Sequence, residues 1–162
     1  MFGQENIPQK ATKSYVEAWA AIQKYCVYQE RCHKEVRSKL YDFGLKTEEV
    51  NELISRLIEQ NFLNEERFAV AFAGGKFRVK NWGKEKIKRE LKLRGISDYC
   101  INKALKEISD DDNLKTLEKL IAKKSKDYLS KNKFEQNAKV ARYCIVKGYE
   151  PEMVWQLIKN DR

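Results

Sequence analysis

The chain has 162 residues, enough for one ordinary domain or several very small ones, with 42% hydrophobic residues and 35% charged ones, against ~25% charged in an average globular domain. Two prolines and seven glycines give too little turn punctuation for a β-sandwich or barrel, and no run reaches the ~18 apolar residues of a membrane span. Helices are the expectation, and 33 Lys and Arg against 24 Asp and Glu, a net charge of +9, favour acidic or polyanionic partners.

The first ten residues lack the apolar core of a signal peptide, so a cytoplasmic location is expected, and residues 1–13 read as a flexible N-terminal segment. Cys26, Cys32, Cys100 and Cys144 are scattered along the chain and read as reduced thiols. Cys26, Cys32 and His33 lack the paired spacing of a zinc site, so neither metal nor cofactor is expected.

A repeat organises the rest. Val36, Leu40, Gly44 and Leu45 share a register with Ile87, Leu91, Gly95 and Ile96, and with Val140, Cys144, Gly148 and Tyr149; the glycines lie 51 and 53 residues apart. Six and ten positions beyond each glycine stand Val50 and Ile54, Ile101 and Leu105, Val154 and Ile158. The pattern is a helix closed by a glycine of positive φ, then a second helix. Thr47 and Ser97 are candidate caps for that second helix, and Pro151 suits a first helical turn. An amphipathic stretch precedes each pair: Val16, Trp19, Ile22, Tyr25 and Cys26; Phe68, Ala71 and Phe72; Leu114, Leu117 and Ile121. The expected fold is all-α, three tandem three-helix repeats in an elongated array, at residues 14–60, 64–108 and 110–161.

Residues 76–94 carry nine basic side chains (Lys76, Arg78, Lys80, Lys84, Lys86, Lys88, Arg89, Lys92, Arg94) and two acidic ones, a local charge of +7. Lys84, Lys88 and Lys92 fall in one helical row beside the buried Ile87 and Leu91, a basic ridge expected to face water. Residues 115–133 hold seven more lysines against Glu118 and Asp127. No catalytic constellation is present: there is one histidine, and Gly74-Gly75-Lys76-Phe77 imitates a phosphate loop without its first glycine or its Ser/Thr. The two glycines instead suggest a kink or a close helix contact. Trp82 reads as a packing anchor at the turn into the basic helix.

Asn61, Phe62, Leu63, Asn64, Arg67, Phe68 and Ala69, followed by Arg78, Gly83, Ile87, Glu90, Leu91, Gly95 and Ile96, resemble the middle repeat of the bacterial RecX family. Asn64 departs from the common Asp, and Cys32 from a Ser-like cap. The resemblance spans about residues 15–161 and implies a non-enzymatic modulator of RecA, lying along its filament on single-stranded DNA and suppressing ATP hydrolysis and strand exchange. From the residues themselves, Lys84, Lys88, Arg89 and Lys92 are the favoured contacts, with Lys76, Arg78, Lys80 and Arg94 flanking, on a monomer that binds bare DNA only weakly. An autonomous helix-turn-helix DNA reader and a helical scaffold are the alternatives.

Overall fold

The structure, a computed structural model, describes residues 12–160. Among them are nine α-helices and no strand: α1 (Tyr15–Tyr28), α2 (His33–Asp42), α3 (Thr47–Glu59), α4 (Glu65–Lys80), α5 (Lys84–Leu93), α6 (Asp98–Lys106), α7 (Asp110–Asp127), α8 (Lys133–Val146) and α9 (Pro151–Asn160). The fold is an all-α helical repeat. Two compact units divide it after Phe68, inside α4. Of the expected N-terminal segment, residues 1–11 lie outside the described residues, while the Lys13 N–H donates to the Phe43 carbonyl at 2.9 Å.

In the first unit Ala18, Ile22 and Cys26 of α1 pack against Val36 and Leu40 of α2 and Val50, Leu53, Ile54 and Leu57 of α3. Val16, expected on the buried stripe, is 75% exposed, because it stands about 200° around the helix from Ala18. Thr47 does not cap: it is the first residue of α3, the Glu49 carboxylate accepts the Lys46 N–H at 3.2 Å, and the Thr47 hydroxyl accepts from Tyr41. At α2 the Glu35 carboxylate accepts the Cys32 N–H at 3.3 Å, so a capping box survives the departure from Ser.

In the second unit Ile87, Leu91, Ile96, Ile101 and Ala104 are buried from α5 to α6. The last three helices close over Leu117, Ile121, Val140, Cys144, Tyr149, Val154 and Ile158. Ala71 is exposed, since the buried Ala69 and Ala73 both lie about 200° from it. The repeat glycines take the expected left-handed backbone, with φ of 84° at Gly44, 76° at Gly95 and 107° at Gly148. At Gly95 the Ile96 N–H donates to the Leu91 carbonyl at 3.1 Å, a six-to-one closure that folds an apolar residue back over the last turn. Ser97 caps α6, accepting from the Cys100 N–H at 3.4 Å, and Pro151 opens α9.

Candidate functional site

The start of the family motif is a structural clamp. The Asn64 carboxamide accepts the Arg67 N–H at 2.8 Å, capping α4 as an Asp would. The Arg67 guanidinium pairs with Glu30 and donates to the Asn61 side chain and the Asn61 carbonyl, holding a turn in which Asn61 has a φ of 62°. Phe68, Ile87 and Leu91 are buried. Within the motif these residues build the repeat, leaving the charged ones between them to face outward.

On α4 the two glycines sit inside one continuous helix. The close contact expected at Gly74 comes from the same helix: the Arg78 guanidinium lies over it, and a Cβ there would stand 2.8 Å from an Arg78 nitrogen. Gly75 has nothing within 4 Å of where a Cβ would be. Trp82 meets Phe72 edge-on at 6.2 Å between ring centres, and the ammonium groups of Lys76 and Lys86 stand 5.1 and 4.4 Å from its ring centre. Arg94 stands 4.6 Å from the centre of the Phe72 ring and pairs with Glu90 at 2.9 Å. Lys76, Lys86 and Arg94 are thus engaged with aromatic rings that hold α4 to the start and end of α5.

The ridge on α5 is not uniformly open to water. Lys84 is half-buried and pairs with Asp110 at the start of α7, at 3.2 Å; Lys92 pairs loosely with Asp98 at the start of α6, at 3.9 Å. Periodicity within α5 could not reveal either acid, because both come from later helices whose N-terminal dipoles favour carboxylates. Lys88 and Arg89 have no ion-pair partner among the described residues. Together with Lys92 and Glu85 they line one side of a groove of about 470 Å3, closed by Ile145, Tyr149 and Pro151 of the last repeat. Lys80 is exposed at the end of α4.

That groove exists because two helix ends meet backbone to backbone. The Gly83 and Glu85 N–H groups, at the start of α5, donate to the Lys147 and Gly148 carbonyls at 2.8 and 3.0 Å. The C-terminal end of α8 therefore satisfies donors that α5 cannot satisfy itself. A Cβ on Gly83 would collide with the Gly148 carbonyl group, and one on Gly148 with the Lys86 backbone and Cβ, which is why both positions must be glycine. The Tyr149 hydroxyl donates to the Asn81 carbonyl at 3.1 Å, pinning the turn before Trp82. Gly83, a family-motif residue in the sequence, is a docking point, and no signal short of three-dimensional packing identifies its partner.

No group of three or more His, Cys, Asp or Glu among the described residues could hold a metal ion, and no described helix is long and apolar enough to cross a membrane.

A tandem array of three-helix units, with a row of cations carried on the second, defines an all-α helical-repeat protein. The family follows from sequence: models of the second and third three-helix domains of RecX match residues 64–105 and 110–158, more than half the chain, and the protein belongs to the RecX family. The Regulatory protein RecX of Bacillus cereus strain B4264 is 26% identical over 146 residues, 90% of this chain and 53% of that protein; its counterpart in Bacillus thuringiensis strain Al Hakam is 25% identical over the same shares. The chain spans about half the length of the curated relatives it matches. In fold it resembles the crystal structure of RecX from Lactobacillus salivarius, with a TM-score of 0.80 at 23% identity, over 90% of this chain and 95% of that one. A second crystal structure of regulatory protein RecX gives 0.81 at 21% identity, over 90% and 71%.

Proposed function

We propose that this RecX-family protein is a cytoplasmic, non-enzymatic regulator that acts as a monomer on the RecA filament on single-stranded DNA, lowering ATP hydrolysis and strand exchange. The observation that carries the contact surface is the α5 groove. Lys88 and Arg89 present two unpaired cations over an apolar wall of Ile145, Tyr149 and Pro151, and such a surface suits either a phosphate or an acidic side chain of a filament. Lys84 and Lys92, already paired with acids, act as the rim; Lys76 and Arg94 hold the aromatic anchor, and Lys80 lies free at its edge.

Titrating the protein into RecA hydrolysing ATP on single-stranded DNA tests this reading. Hydrolysis is expected to fall at protein amounts well below that of RecA, with weak binding to bare duplex. Undiminished hydrolysis, or tight sequence-selective duplex binding without RecA, rejects the reading in favour of a scaffold or a DNA reader, respectively.

A further inference from the structure

The last repeat carries a second basic surface of different character. Residues 119–147 hold nine basic side chains and two acidic ones, the same local charge of +7 as residues 76–94, so the rest of the chain is net acidic. Here the cations are interleaved with tyrosines. Tyr128 at the end of α7 and Tyr143 on α8 share the Lys124 ammonium, 5.9 and 4.3 Å from their ring centres. Asp127 holds Lys124 at 3.2 Å and raises its pKa through that hydrogen bond. The Gln136 amide donates to the Ser125 carbonyl at 2.6 Å and so fixes the end of α7 on α8.

Between these helices lies a cavity of about 300 Å3 lined by Tyr128, Lys139, Arg142, Tyr143 and Val146. Arg142 has no ion-pair partner among the described residues, and Lys139 has only Glu135, at 3.7 Å. Lys147 donates to the Lys80 carbonyl at 3.2 Å and stands 5.7 Å from the centre of the Tyr143 ring, which joins this surface to the basic end of α4. In the first turn of α8 Phe134 is 80% exposed between Lys133 and Glu135.

We propose that this face of α7 and α8 is a binding site for single-stranded nucleic acid. Arg142 and the loosely paired Lys139 at the rim meet phosphates, while the tyrosine-lined cavity accepts a base that a duplex would keep stacked inside. An acidic protein surface would satisfy the cations equally without needing a base against the two rings, so base contact is the property that separates the two ligands.

The test compares fluorescence anisotropy of labelled oligo-dT with that of an abasic strand of equal length and equal phosphate number, using the full chain without RecA. Oligo-dT should bind about tenfold more tightly, as base–aromatic stacking predicts, and oligo-rU should behave likewise, because the ring faces do not read the sugar. The double variant Y128L/Y143L keeps apolar bulk and should bind both strands with the abasic affinity. K139E/R142E, confined to exposed side chains, should weaken both and flatten the salt dependence. The α5 variant K88E/R89E should leave the oligo-dT to abasic ratio unchanged.

Equal affinity of the unaltered protein for the two strands overturns the proposal whether or not any variant folds. So does loss of the ratio in K88E/R89E with its retention in Y128L/Y143L, or displacement of oligo-dT by polyglutamate at matched charge as readily as by unlabelled oligo-dT. Because RecA is absent, failure here is distinguishable from failure of the proposed filament activity.

Discussion

Burial makes two thiols hard to ionise. Desolvation pushes Cys144 from 9.0 up to about 11 against the opposing field of Lys124, and pushes Cys26 from 9.0 up to about 11 against Arg31. Both are therefore neutral at physiological pH, and alkylation with iodoacetamide at pH 8 followed by peptide mapping should label neither in the folded protein and both in urea. The linkage has one sign: an acid that releases its proton less readily when folded contributes stability below its unfolded pKa, here near 9, and loses it as pH rises toward 11. The urea midpoint should accordingly fall across pH 9 to 11, and burial also raises the Tyr149 hydroxyl, which acts in the same direction. A midpoint flat across that window would mean that both thiols are open to solvent.

The cap glycines add a second prediction at the same scale. Gly95 has a φ of 76°, a conformation that a β-branched residue adopts only under strain, so Gly95→Val should cost more than ~1 kcal/mol in urea denaturation. This position was legible in the sequence because its physics is local: one residue must turn left-handed and one apolar neighbour must fold back. Ser97 and Pro151 were legible for the same reason. Thr47 was not, because a capping residue type one position late looks identical in a sequence, and the deciding contact is Glu49 reaching back to the Lys46 N–H.

For the α5 element, the spacing of Ile87 and Leu91 correctly separates the buried stripe from the cations, and Leu91→Ala should cost about 2–5 kcal/mol as a fully buried truncation. The free charge on the row is another matter. Asp110 and Asp98 occupy two of its three lysines, and they arrive from helices whose placement no α5 pattern encodes. Reversing Lys84, Lys88 and Lys92 to Glu together therefore sets new carboxylates against existing ones, and some stability should be lost with the charge. K88E/R89E is the cleaner variant: neither residue has an ion-pair partner among the described residues, so its unfolding free energy in urea should stay within about 0.5 kcal/mol of the parent while inhibition of RecA hydrolysis drops. Unchanged inhibition by a folded K88E/R89E would return the row to an ordinary solvated face and move the contact elsewhere.

Across the second unit, glycine serves opposite ends, and the same substitution should change stability in opposite directions at two sites eight residues apart. At Gly83 a methyl group would strike the Gly148 carbonyl group, and that contact is backbone against backbone, with no flexible side chain to yield. Relieving it means parting α5 from the end of α8, which strips acceptors from the Gly83 and Glu85 N–H groups. Gly83→Ala should thus cost about 2–4 kcal/mol, overpacking and lost hydrogen bonds together. At Gly75 a Cβ meets nothing within 4 Å and φ is not positive, so Gly75→Ala should raise stability by about 0.5–1 kcal/mol through helix propensity and a less flexible unfolded chain. Urea denaturation of both variants decides the matter. A Gly83→Ala protein as stable as the parent would mean that the second and third repeats are not locked at this junction, and the α5 groove would then lose its wall of Ile145, Tyr149 and Pro151.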